Sequence, residues 1–81
     1  MTKFEKLLIK AIQAPGNLAF SDLETLLQQH GWVFKRQTGS HRFWMAPDGT
    51  VVPLQPKGHQ AKEYQVKQVL RIMEKSHARS L

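Results

Sequence analysis

The sequence predicts an α+β fold: a three-stranded antiparallel meander with helices packed on one face, in the order α-α-β-β-β-α. Three observations carry this expectation. Apolar residues recur at helical spacing towards both ends of the chain. Aromatic and β-branched residues crowd the middle. Two turn signals, Thr38-Gly39-Ser40 and Pro47-Asp48-Gly49, divide that middle into three. In such a sandwich one sheet face meets the helices and the other stays open to solvent or a partner.

Each element has its own warrant. Phe4, Leu7, Leu8, Ala11 and Ile12 form one stripe, so residues 3–13 read as an amphipathic helix, ended by Pro15-Gly16-Asn17. Ser21 and Glu24 have the spacing of a capping box, and Leu23, Leu26 and Leu27 make the apolar stripe of a second helix. Gly31 stands where a left-handed C-terminal cap belongs. Trp32 to Gln37 suits a strand, His41 to Ala46 a second and Thr50 to Leu54 a third. Pro53 lacks an N–H, which puts the third strand at an edge or at its end. Gln55 to Gln60 is a loop. A last helix starts at Ala61 or Lys62, with Val66, Val69, Leu70 and Met73 on one face, and residues 77–81 are expected to fray.

With 81 residues, the chain is expected to form one domain with room for a core but not for a deep cofactor cleft. It has no cysteine, which excludes disulfides and thiolate metal sites. No apolar run approaches the roughly 20 residues of a membrane span, and no signal peptide is expected, so the expected location is the cytoplasm. Twelve Lys and Arg stand against six Asp and Glu, a formal net charge of +6. The excess is uneven: net zero over residues 1–31, +4 over 32–62 and +2 over 63–81. A basic segment of this kind suits a polyanion such as nucleic acid, although a plain solvated surface would also look like this.

His41 opens the second strand directly after Gly39-Ser40. A tight turn there would fix the imidazole's direction and leave it open to a ligand. Histidine takes or gives a proton near neutral pH, its unperturbed pKa being about 6.5. RNA can be cut by its own 2′-hydroxyl, given a base, an acid and cations for the phosphorane charge. His41 suits either proton role, and Lys35, Arg36 and Arg42 can supply charge. The plain alternative is a surface histidine beside ordinary solubilising cations. His59, between Lys57 and Lys62, is a candidate second proton-transfer group or phosphate contact, or simply a loop histidine. His30 precedes the capping glycine and reads as structural, its imidazolium suiting the helix dipole. His77 carries no assignment.

Trp32, Phe34, Phe43 and Trp44 are able to stack on bases or to fill the core. Alternation puts Phe43 and Trp44 on opposite faces, so one of them is a candidate for exposure. The histidines lack metal-ligand spacing, and no paired carboxylate joins them, so no metal or other cofactor is expected. No phosphate loop, nucleophile elbow or dinucleotide-binding glycine pattern is present. ATP-dependent, acyl-transfer and redox chemistry therefore lack support.

Gly31-Trp32, Arg36, Gly39-Ser40-His41, Pro47-Asp48-Gly49, Leu54-Gln55-Pro56 and Ala61-Lys62-Glu63-Tyr64-Gln65-Val66, in this order, resemble the HicA family of toxins. The resemblance covers residues 20–75 and leaves the first helix, 3–13, as an addition that we expect to support the core. It implies a double-stranded-RNA-binding-domain-like fold. It also implies a ribosome-independent endoribonuclease (an mRNA interferase) acting on mRNA, with His41 catalytic; together with the 2′-hydroxyl chemistry, we expect that enzyme to be metal-independent. It further implies a cognate HicB antitoxin that silences the toxin, which is expected to be monomeric outside that complex. Lys35, Arg36, Arg42, Lys57 and Lys62 are the candidate RNA contacts. The chain departs from the family pattern twice: Arg42 and Gln55 stand where many members carry further histidines. The alternatives are a non-catalytic RNA-binding module and a small protein-interaction adaptor.

Overall fold

The computed structural model describes residues 3–79, with side chains over residues 5–75. Its elements are α1 (Lys3–Gln13), a 3-10 turn (Pro15–Asn17), α2 (Phe20–Gln29), β1 (Val33–Thr38), β2 (His41–Met45), β3 (Val51–Leu54) and α3 (Glu63–Arg79). This is the expected α-α-β-β-β-α order. The strands form one antiparallel sheet in the order β1-β2-β3, so β2 is central and Pro53 lies on an edge strand. Phe4 and His77, together with the fraying expected at the C-terminus, fall outside the described side chains.

The register decides which residues face the helices. Trp44 lies opposite Phe34 on β1 and Val52 on β3, while Arg42 lies opposite Gln37 and Leu54. Trp44, Val52 and Leu54 are buried against Leu23, Leu26 and Leu27 of α2 and Val66 and Val69 of α3. The two apolar stripes read from the sequence are therefore the helix side of the core. Ala11 is also buried, and Leu7 and Leu8 pack at the margin of the same cluster. The additional first helix thus supports the core, although Ile12 of its stripe is left exposed.

The end of α2 is a Schellman motif. Gly31 N–H donates to the Gln28 carbonyl at 3.1 Å, and Trp32 N–H donates to that of Leu27 at 3.0 Å. Gly31 holds φ +83°, the left-handed region that costs an L residue about 1–2 kcal/mol. A Cβ there would sit 3.5 Å from Pro47 Cγ, an ordinary contact, so the cost is in the backbone alone. Gly31→Ala is expected to lower the stability of the domain by about 1–2 kcal/mol, read as a fall in the urea midpoint.

The start of α2 differs from expectation. Ala19 is its N-cap and no side chain caps it, so the Ser21–Glu24 capping box does not form. The helix begins one residue before Ser21, and Glu24 is drawn elsewhere. Its carboxylate accepts from Arg42 Nε and, at 2.8 Å, from Trp44 Nε1. A charge-assisted, partly buried pair of bonds outweighs a solvent-exposed cap. The Phe20 N–H, which a cap would otherwise leave to water, donates to the His59 carbonyl at 2.9 Å.

His30 is the C-cap of α2, but burial lowers its pKa from 6.5, opposite to the imidazolium expected from the helix dipole. Desolvation of the half-buried ring outweighs the dipole. The folded state therefore binds fewer protons here than the unfolded chain. The stabilisation from this group is fully present above pH 6.5 and is lost as the pH falls through the depressed folded value. Urea midpoints are expected to fall on the acid side of neutrality, and His30→Gln is expected to flatten that fall.

Candidate active site

The β1–β2 hairpin has a two-residue loop, Gly39-Ser40, closed by the Thr38–His41 pair. Gly39 has φ +60° and no other residue type in the described chain has positive φ. This fits the type II′ turn, which takes glycine first and matches the strand twist. His41 thus stands at the first position of the central strand, exposed, on the sheet face turned away from the helices. No described side chain hydrogen-bonds to its imidazole. Strand, turn and exposure agree with the direction expected from the sequence.

Thr38 flanks His41 on one side. On the other, the β2–β3 register ends at the Arg42–Leu54 pair, and Gln55 follows directly after it. Gln55 Nε2 donates to Ser40 Oγ at 2.8 Å, and Gln55 Oε1 accepts from Lys62 Nζ at 3.1 Å. The Gln55 backbone N–H donates to Oε1 of the buried Gln65 at 3.1 Å. Ser40, Gln55 and Lys62 were not joined by any sequence reading.

The candidate cations separate into different environments. Arg42 points to the helix side, where it pairs with Glu24 and stacks 4.4 Å over the Phe34 ring. Its Nη1 also donates to Gln37 Oε1 at 2.7 Å, and Gln37 Nε2 donates to the Gly39 carbonyl at 2.9 Å. Arg42 therefore braces the turn that carries His41, with its charge balanced by a carboxylate. Arg36 is exposed on the open face, with its guanidinium 4.4 Å over the Phe43 ring. Lys35 occupies the irregularity in β1 between Phe34 and Arg36 and is exposed, as is Lys57. Lys62 is half-buried and held by Gln55.

The four aromatics also separate. Trp32 and Trp44 are core, and Trp44 meets Phe34 edge-on with centroids 5.6 Å apart. Phe43 is the one that lies on the open face, half-buried beneath Arg36. His59 sits in a loop closed by Lys57 N–H to the Gln60 carbonyl at 2.8 Å and pinned to Phe20 through its own carbonyl. No hydrogen bond between described residues brings its imidazole to His41. Among the described residues, no three His, Asp or Glu side chains group as a metal site, and no helix is long and apolar enough to cross a membrane.

A three-stranded sheet with helices on one face, and an exposed histidine on a braced hairpin at the other, defines a small α+β protein with a polar site at a sheet end. The family model described as the HicA toxin of bacterial toxin–antitoxin systems matches residues 20–74. The match spans most of the chain, and the protein belongs to the HicA toxin family. No curated protein and no solved structure matches the chain.

Proposed function

We propose that the protein is a ribosome-independent endoribonuclease that cleaves mRNA, with His41 as its general acid–base group. The observation that carries this reading is the placement of His41: exposed, at the head of the central strand, with Lys62 held beside its turn and Arg36 on the same face. In the reaction the 2′-oxygen attacks the adjacent phosphorus and the bond to the 5′-oxygen breaks. The products are a 2′,3′-cyclic phosphate and a free 5′-hydroxyl. His41 takes the 2′ proton while water protonates the leaving oxygen, or protonates the leaving oxygen while water takes the 2′ proton. Lys35, Arg36, Lys57 and Lys62 meet the phosphate charge. The nucleophile comes from the substrate, and in this reading the histidine and the cations do the work without a metal.

Arg42 is assigned to bracing the hairpin, because it bonds Glu24 through Nε and Gln37 through Nη1 and its charge faces the Glu24 carboxylate. His59 is assigned no proton transfer. A HicB-type antitoxin in the same cytoplasm would silence the toxin by covering His41 or the basic face around it. Membership of a toxin–antitoxin family supports this partner.

The test is incubation of the purified protein with single-stranded mRNA in EDTA. New fragments ending in cyclic phosphate are expected. Intact RNA that merely shifts in a gel, with binding weakened by salt, would instead make the protein a non-catalytic RNA-binding module.

A further inference from the structure

We propose that Ser40, Gln55 and Lys62 form one phosphodiester clamp beside His41, in which Gln55 is the positioning residue. The inference rests on the ribonuclease reading for its substrate and on the side-chain network for its geometry. Lysine ammonium has donors only, so the atom of Gln55 that meets Lys62 Nζ at 3.1 Å must be the amide oxygen. The amide nitrogen then faces Ser40 Oγ at 2.8 Å and must donate to it. Ser40 is thereby made an acceptor towards Gln55, and its own O–H is left to donate away from the network. Lys62 spends one N–H on Gln55 and keeps two. One fixed amide thus orients a hydroxyl donor and an ammonium donor at the same sheet end as His41.

Two further contacts make Gln55 a suitable anchor. Its backbone N–H is held by Gln65, which is only 6% exposed, so the residue does not swing with the loop that follows. Its side chain meets Ser40, the residue directly before His41, so what it holds lies at the turn that carries the imidazole. The ligand chemistry that matches a serine hydroxyl plus an ammonium is the non-bridging oxygens of a phosphodiester.

The test uses the full chain, a single-stranded mRNA transcript for cleavage, and a 2′-O-methyl oligonucleotide of mixed sequence for binding. Methylation removes the nucleophile, so binding is read without cleavage. Ser40→Ala and Gln55→Leu are each expected to raise KM about tenfold, with kcat changed far less, as for a lost uniform-binding contact. The double variant is expected to resemble the worse single variant, because both changes break one unit. Lys62→Gln is expected to make the plot of log K against log salt shallower by about 0.7, the value of one single-strand phosphate contact. Gln55→Leu is expected to reproduce part of that change, which a purely structural residue would not.

Gln55→Glu provides a control that keeps size and polarity, and it covers the case in which the leucine variant misfolds. A carboxylate pairs with Lys62 and draws in the Ser40 O–H, so the salt plot is expected to flatten here as well. Folded variants with the parent's salt slope, or Ser40 and Gln55 effects that simply multiply, overturn the clamp. A parent protein that binds RNA but never cuts it overturns the ribonuclease reading, while the salt slopes still decide the clamp.

Discussion

His41→Ala is expected to lower RNA cleavage by about 10²–10⁴-fold, the usual contribution of a positioned acid–base group. Growth inhibition on expression is expected to disappear with it. The variant should fold like the parent. His41 is exposed, makes no hydrogen bond to a described side chain, and contributes nothing to the core cluster. Substitutions at such positions usually move stability by no more than about 0.5 kcal/mol. The backbone pairing of His41 with Thr38 is available to alanine equally. Circular dichroism and a urea midpoint check the fold, and single-turnover cleavage of an mRNA transcript checks the chemistry. A folded His41→Ala protein that cuts at the parent rate removes His41 from the mechanism and leaves the reaction without a proton carrier.

Trp44→Ala is expected to have the largest effect on stability. Trp44 is 2% exposed at the centre of the sheet, among the largest fully buried side chains. Its truncation costs three things together. The buried ring is lost, a cavity remains between the sheet and α2, and Glu24 loses one of its two donors. Large-to-small changes of this kind cost about 3–5 kcal/mol. A domain of this size has a total stability of roughly 4–12 kcal/mol, at about 0.05–0.15 kcal/mol per residue. The variant is therefore expected to be largely unfolded, or to melt far below the parent. Trp44→Phe separates the terms, because it keeps most of the volume and removes only the indole N–H. It is expected to cost about 1–3 kcal/mol, the worth of one hydrogen bond to a charged group, with Arg42 kept as the other donor to Glu24. A Tm for Trp44→Ala within a few degrees of the parent would show that the sheet–helix core does not depend on this side chain.

The two predictions address opposite faces of the same strand. β2 alternates His41, Phe43 and Met45 outwards with Arg42 and Trp44 inwards. One-residue alternation thus separates the candidate chemistry from the packing. The inward pair also supports the outward residue, since Arg42 and Trp44 both bond Glu24 and Arg42 continues through Gln37 to the turn. The site histidine is exposed, but the hairpin that carries it is fastened to α2.

Local chemistry alone determined most of the fold. The leucine stripe of α2, the valine stripe of α3, the left-handed Gly31, the II′-compatible Gly39-Ser40 and the turn at Pro47-Asp48-Gly49 act over a few residues each. Their consequences do not depend on what packs against them. The position of His41 at a strand start belongs with these. Long-range contacts decided the rest. Glu24 has the spacing of a cap, but the cross-layer donors Arg42 and Trp44 take its carboxylate instead. His30 has the position of a dipole-stabilised cation, but burial lowers its pKa instead. Arg42, a free cation in the sequence, is one half of a partly buried ion pair in the structure. Gln55, which stands in the sequence only as a missing histidine, is the link between Ser40 and Lys62. In each case the side chain's partner lies on another element. Spacing along a chain reports which groups are neighbours within an element. Only the packed sheet and helices determine which polar groups lose water together and must therefore satisfy one another.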